Sequence, residues 1–516
     1  MINETVKHVV IVGGGTAGWI TAGVLAAKCV KEHGRDLKIT LIESPTIGNI
    51  GVGEGTWPSM RTTLQTMGIS ETEFIRQCDA TFKQGACFKK WIDNGESDFY
   101  YHPLMLPSTL GPLNSVIRKL HSDSAHHELS YSSLLCSQEM ACERGLAPKN
   151  ITTPEYQGVL NYAYHLDTNK FSAFIKEHCI NKLNIHHVVQ DIVGTTMGTD
   201  GEVGALRLAD GTELAADFYI DCSGFAGLLI DKHFKVPFID KSDILFCDRA
   251  VAVQCPYDHE DIPIASHTIS TATGCGWIWD IGLQKRRGIG HVYSSKHMGQ
   301  DEAERDLRNY VGKQMDQLDV RHIQYKPGYR EKFWVKNCVA VGLAAGFVEP
   351  LEASSILLVE ISAFWIAEKL PHKKSGFAHC EKQFNETFSY RWDTIIEFLK
   401  LHYCISQRTD TDFWRDNTHP DSIPDALLDK LDLWRGQCPS VVDFLSRADV
   451  FPFESYCYIL YGMKFKTATH AVGDAQLNML EKKIHNQQRN MANVVNSLPA
   501  NRALINKIRE YGLQRI

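Results

Sequence analysis

The sequence lacks the signals that would direct a chain into a membrane, out of the cell or onto nucleic acid. No window offers eighteen apolar residues without charge. The best stretch, 354–370, is broken by Glu360 and Glu368, which argues against a membrane span. Only seven mostly polar residues precede the β-like run that starts at His8, too few for a secretory leader. The fifteen cysteines are an odd number, scattered, with no C-x-x-C pair, so neither a disulfide framework nor a zinc ribbon is indicated. His126 and His127 are adjacent but have no second ligand cluster; they read as loop histidines, and no metal is expected. Lys and Arg number 54 against 61 Asp and Glu, a formal charge of −7, which leaves no basic footprint for nucleic acid. The expectation is a cytoplasmic protein with reduced thiols and a small-molecule substrate.

What is present is an ordinary globular composition, 44% hydrophobic and 22% charged over 516 residues. That length accommodates two or three average domains or one large α/β unit.

The most informative segment is the first. Val9 to Val12 is short, β-branched and closed by glycine, as expected of a buried parallel strand. It runs into Gly13-Gly14-Gly15-Thr16-Ala17-Gly18, a G-x-G-x-x-G match. Residues 16–33 then read as an alanine-rich, proline-free helix, and 37–42 as a second strand with Glu43 at its end. Each part has a physical task. Gly13 permits the tight turn, Gly15 lets a pyrophosphate approach the backbone, and Gly18 lets the helix lie close to the sheet. The helix start, with Thr16 and Ala17, offers unpaired N–H groups and a positive dipole end to phosphate. Glu43 is placed to accept hydrogen bonds from ribose hydroxyls.

Two later segments favour FAD over NAD. Residues 215–224 read as a strand ending in a turn of small residues, and 337–346 as a buried strand leading to a loop and helix. The chain carries a single glycine fingerprint, so its electrons are expected from a separate NAD(P)H-dependent flavin reductase.

Four segments then carry a resemblance: residues 13–19, Gly51-Val52-Gly53-Glu54, Trp277-Ile278-Trp279-Asp280-Ile281 and Phe347-Val348-Glu349-Pro350-Leu351-Glu352. Together they resemble the flavin-dependent tryptophan halogenases, from the first strand to about Trp414. The resemblance implies a glutathione-reductase-like FAD-binding α/β fold with a helical C-terminal part. It implies that FAD, supplied as FADH2, with oxygen and chloride or bromide, yields hypohalous acid. That acid would pass through an internal tunnel to an aromatic such as an indole or tryptophan. The cofactor-binding set it implies adds Gly51, Val52, Gly53, Glu54, Val189, Gly342, Leu343 and Ile356.

The resemblance makes Lys83 and Glu352 the catalytic pair. If its segment is helical, Lys83 has Asp79, Ala80, Ala86 and Cys87 three and four residues away, three of them small, so its ammonium can point inward. It would then hydrogen-bond hypohalous acid. The alternative haloamine route needs a neutral amine, and burial would have to lower an ordinary lysine pKa of ~10.4. The competing reading is a surface lysine paired with Asp79. Glu352 stands just before a helix expected to start at Ser354 or Ser355. A carboxylate there is stabilised by the helix dipole whatever its function, and Glu349 is its internal competitor. The amides of Ser354, Ser355 and Ile356 would cradle a halide. The family has threonine and glycine at Ser354 and Ser355, and serine at Ala353, which puts in doubt any coupling that serine provides.

Trp277 and Trp279, two apart, share one face of a strand and would wall organic substrate off from the flavin while admitting halide. The bland reading is a buried aromatic strand. Gly282 stands where the family has proline, implying a local change in backbone stiffness. At the substrate end the match thins. His102 and Tyr456 match pocket residues, Leu104 replaces an aromatic, and the acidic-aromatic segment expected within 441–462 is missing. His102 also reads as an ordinary loop histidine. The expected division is 1–375 as the FAD-binding domain, with a substrate-side insertion at about 80–170, and 376–516 as a helical region completing the aromatic site. A homodimer is expected from family habit. The rivals are a flavin monooxygenase that hydroxylates an aromatic, and an FAD-binding protein without turnover.

Overall fold

The computed structural model describes residues 4–48, 53–122, 130–444 and 448–515. Gly51, Val52, His126 and His127 lie outside the described residues. The chain forms two compact units, each assembled from three segments.

The first unit comprises Met1–Ala80, Leu166–Lys241 and Lys326–Trp392. Its centre is a six-stranded sheet in the order Trp334–Val335, Cys338–Ala340, Phe218–Asp221, His8–Val12, Lys38–Glu43, His186–Val189. All pairings are parallel except that of the short edge strand Trp334–Val335. The first strand is buried throughout except at His8, which explains why it reads as a continuous apolar run. One sheet face, through Val10, Val12, Ile42 and Tyr219, packs on Val203, Leu206 and Leu208. Those residues belong to a three-stranded antiparallel sheet over Ile192–Met197, Val203–Leu208 and Glu213–Ala215. Each such buried side chain contributes roughly 1.5–3 kcal/mol. The helices Thr16–Leu25 and Ser354–Lys369 pack on each other. The expected helix at 16–33 is α-helical to Leu25 and then widens into a π-helical stretch, Ala26–Glu32.

A buried carboxyl lies between two helices of this unit. Glu360, 1% exposed, accepts hydrogen bonds from Ser59 Oγ (2.9 Å) and Thr63 Oγ1. Burial pushes its pKa up to about 7, against the two hydroxyls, which lower it. The unfolded carboxyl ionises near ~4.3, so the native state holds the extra proton between these values, and stability falls as pH rises through that window. Glu360→Gln removes this dependence. It is expected to raise the melting temperature above pH 7, the released penalty being on the order of 3 kcal/mol, and to change little below pH 4. Equal melting curves for both proteins at pH 8 would contradict the assignment.

The second unit comprises Thr81–His165, Ser242–Tyr325 and Asp393–Ile516. Its seven-stranded sheet runs Arg321–Gln324, Arg249–Pro256, Arg286–Tyr293, Gly276–Gly282, Thr268–Ala272, Gly85–Lys89, Phe99–Pro103. Only the Thr268–Ala272 and Gly85–Lys89 pairing is parallel. The C-terminal helices include Asp425–Gly436, Phe453–Gly462, Asp474–Asn496 and Asn501–Tyr511. The long helix Phe377–Cys404 contributes residues to both units. Among the described residues no helix is long and apolar enough to cross a membrane.

Candidate active site

In the first unit the fingerprint residues converge on one end of the parallel sheet. Gly13 has φ +115°, and a Cβ there would lie 2.2 Å from the Cys222 carbonyl oxygen, so this turn admits only glycine. Gly15 is the extended N-cap of the Thr16–Leu25 helix. No side chain caps that helix and no acidic residue occupies its first turn, so its first amides are left for an incoming anion. Thr16, Ala17 and Gly18 form this turn. A Cβ on Gly342 would be 2.8 Å from Ala17 Cβ, which brings the Gly342–Ala344 turn, with Leu343, against the fingerprint. Glu43 ends its strand beside Val189. Its carboxylate accepts from Lys176 and, at 2.8 Å, from His187 Nε2, and it lies directly over Gly14. These features fit a dinucleotide: a glycine turn, a free helix start and an acid at the end of the second strand. Gly53 and Glu54 are also in this unit, and burial raises the Glu54 carboxyl to about 7.

The Ser354–Lys369 helix begins where the sequence places it. Ala353 takes a left-handed conformation, φ +54°, which turns the chain sharply out of Glu352. Trp57 Nε1 donates to the Glu352 carbonyl at 2.9 Å, fixing that turn. In the sequence, the one sign of Trp57 is its position three residues after Glu54. Glu349 and Glu352 are both buried, at 1% and 6% exposed. Ser354, 1% exposed, has a hydroxyl without a hydrogen-bond partner. Ser355 and Ile356 complete the first turn, which contains no acidic residue.

In the second unit the strand register assembles the other predicted residues. Directly paired residues share a sheet face. One row across the sheet is His102, Ala86, Thr268, and the next is Tyr100, Phe88, Ser270, Trp279, Gly290. A third joins Ala272, Trp277 and Val292. His102, Trp277 and Trp279 therefore lie on one face. The indole of Trp279 covers Gly290, where a Cβ would meet its ring at 2.1 Å. Trp277 and Trp279 are 6.3 Å apart between ring centroids, and Trp277 is 6.5 Å from Trp91. Trp91 donates to the Ser270 carbonyl at 3.0 Å. The two tryptophans are nearly fully buried, at 1% and 8% exposed.

Lys83 corrects the sequence reading. It lies on a strand, Thr81–Lys83, antiparallel to Ala163–Leu166, and not on a helix. The preceding helix stops at Gln77, and Asp79 adopts a left-handed conformation, φ 48°. The backbone thus turns before helical spacing can reach Lys83. The surface pairing with Asp79 falls too, since Asp79 is engaged by Lys170 and Lys83 is 5% exposed. Thr81, on the same face of this ribbon, donates from Oγ1 to the Gly282 carbonyl at 2.5 Å. The Lys83 ribbon is thereby tied to the end of the tryptophan strand.

His102 also departs from the loop reading. It sits on the Phe99–Pro103 strand, 6% exposed, with Nε2 hydrogen-bonded to Ser455 Oγ at 2.9 Å. Leu104 follows that strand; its amide donates to the Gln84 carbonyl and its carbonyl accepts from Asn161 Nδ2. Tyr456, next to Ser455, packs against Phe398, Phe444 and Trp434. Phe451 stacks on Phe398 at 3.8 Å. Asp443, the nearby acid, caps its own turn and accepts from Trp434 Nε1 at 3.0 Å. Aromatic rings occupy this region, and Asp443 is engaged within the fold.

The sequence model of the family described as tryptophan halogenase matches residues 8–477. The chain belongs to the tryptophan halogenase family. The tryptophan 6-halogenase ThaL of Streptomyces albogriseolus is 35% identical over 457 residues, covering 85% of this chain and 83% of its own. The tryptophan 7-halogenase RebH of Lentzea aerocolonigenes is 31% identical over 446 residues, covering 83% and 82%. A crystal structure of a tryptophan halogenase from Shewanella frigidimarina matches with TM-score 0.95 and 42% identity over 100% of both chains. The halogenase is thus a flavoenzyme of oxidoreductase type, its α/β fold that of flavin-dependent halogenases with a helical C-terminal part.

Proposed function

We propose that the protein is an FADH2-dependent halogenase that places chlorine or bromine on an electron-rich aromatic of indole or tryptophan type. The observation that carries this reading is Lys83. It is a nearly fully buried lysine on a ribbon anchored through Thr81 to the strand of Trp277 and Trp279. A hydroxylase that delivers oxygen directly from its flavin has no use for such a lysine.

Bound FADH2, delivered by a separate flavin reductase, supplies with oxygen the two-electron oxidation of halide to hypohalous acid. Gly13, Gly15 and the first turn of the fingerprint helix hold the pyrophosphate, and Glu43 the ribose. The amides of Ser354, Ser355 and Ile356 receive the halide, at a helix start without a competing acid in its first turn. The partnerless Ser354 hydroxyl is a further donor. Trp277 and Trp279 exclude the aromatic from the oxidant-forming site. Lys83 holds the hypohalous acid by its ammonium or carries the halogen as a haloamine. Glu352 positions the oxidant or accepts a proton. His102, Leu104 and Tyr456 frame the aromatic, in a region rich in rings.

The test supplies FAD, a flavin reductase, NADH, oxygen and bromide, with indole, tryptophan and phenols as substrates followed by mass spectrometry. A product carrying the bromine isotope doublet is expected. Hydroxylated product formed without bromide would replace this reading with the monooxygenase.

A further inference from the structure

His165 is buried in the second unit, 0% exposed. It lies directly across the ribbon from Thr81 and diagonally across from Lys83, whose own partner is Ala163. Paired and alternate residues share a face, so Lys83, Thr81, Ala163 and His165 project to the same side. Diagonal neighbours on such a ribbon lie roughly 7–8 Å apart, within reach of a long side chain. The Thr81 hydroxyl is engaged by the Gly282 carbonyl. His165 Nε2 is hydrogen-bonded at 2.8 Å to Thr268 Oγ1, and Thr268 stands in the same sheet row as His102, on the face that carries Trp277 and Trp279. Its other nitrogen, Nδ1, is buried without a hydrogen-bond partner.

A buried, partnerless imidazole nitrogen is destabilising, and a catalytic role is one of the recognised reasons for such a group to be kept. Burial first, then the charge of Lys83 and the neighbouring His267, hold the imidazole well below its ordinary pKa. His267 is itself held neutral by burial, at about 3. His165 is therefore a neutral base beside a buried ammonium.

We propose that His165 is the positioning and proton-holding partner of Lys83: Nε2–H donates to Thr268, and Nδ1 presents its lone pair to the Lys83 ammonium. The inference rests on the reading of Lys83 as the halogen-carrying residue. His165 Nδ1 takes one proton only as the amine nitrogen attacks, in a single concerted step, so that the repulsive ammonium charge disappears as the imidazole gains its own. The amine attacks the halogen of hypohalous acid, the N–halogen bond forms as the O–halogen bond breaks, and the departing hydroxide leaves as water with a second amine proton. His165 then returns its proton to the haloamine, which makes the halogen more electrophilic. The arene takes the halogen as the N–halogen bond breaks, and the proton it releases restores the ammonium. No oxidant beyond hypohalous acid is required.

The test compares His165→Asn with Lys83→Ala in the reductase-coupled assay, with FAD titration as the check on folding. Asparagine places an oxygen near the position of Nδ1 and accepts a hydrogen bond, but it does not take up the proton. General base catalysis is commonly worth about 100-fold or more. His165→Asn is expected to lower halogenation by about 100-fold near pH 7, with the loss shrinking as pH rises and bulk base frees the amine. Nitrogen-15 histidine spectra of the wild-type protein should show His165 neutral with its proton on Nε2. A wild-type rate and pH profile in His165→Asn, with Lys83→Ala inactive, overturns the inference alone. A neutral His165 protonated on Nδ1 also overturns it, and does so even if the variant fails to fold. Full activity in Lys83→Ala overturns the reading beneath it.

Discussion

Lys83→Ala is expected to reduce halogenation by about 1,000-fold or more, while FAD binds as in the wild-type protein. Lys83 is not among the residues that form the phosphate-binding turn, Gly13 to Gly18. Oxidant formation should continue: with bromide present, hypobromous acid should reach an added scavenger while the arene stays unmodified. Truncating a buried side chain also leaves a cavity, typically costing a few kcal/mol, so Lys83→Met serves as the filled control. It keeps the volume and removes the ammonium. Both variants should be equally inactive if the charge or nucleophile matters. Activity recovered in Lys83→Met would assign the residue to packing, and flavin loss in either would remove it from the halogen-carrying role.

The sequence made the local parts of this molecule legible and left the non-local parts hidden. The fingerprint was readable because strand, glycine turn, helix and acid follow one another within 36 residues, His8 to Glu43, and each leaves its mark on neighbouring residues. Trp277 and Trp279 were readable as one face because strand periodicity is two, and the register bears that out. Lys83 reads as helical in the sequence because three residues carry too little pattern to declare a strand. What makes Thr81–Lys83 a strand is pairing with Ala163–Leu166, some eighty residues away. Gly290 gave no local sign that an indole would lie on it, and the Thr81 bond to Gly282 bridges two hundred residues. His165 was invisible for the same reason, since its meaning comes from what stands diagonally across the ribbon.

The fingerprint supports the second large prediction, and its glycines do not share one role. Gly13 sits at φ +115° with a Cβ position 2.2 Å from a backbone oxygen, so Gly13→Val should destabilise the fold itself. Gly15 is different. Its backbone, φ −76° and ψ −178°, is extended, a conformation that valine adopts without strain. Gly15→Val should therefore fold normally, melting within about 1 °C of wild type in the absence of flavin, a shift that corresponds to about 1 kcal/mol for a cooperative chain of 516 residues. What it adds is a branched side chain at the start of the helix whose amides receive the pyrophosphate. FAD affinity is expected to fall by about 100-fold or more, equivalent to roughly 2.8 kcal/mol, read from the flavin absorbance and fluorescence on titration. Halogenation falls with it, and excess FAD should restore activity in part, because nothing in the Lys83 ribbon has changed. An undiminished flavin spectrum in a well-folded Gly15→Val would place the pyrophosphate elsewhere. A loss that no flavin concentration rescues would point to damage beyond cofactor binding.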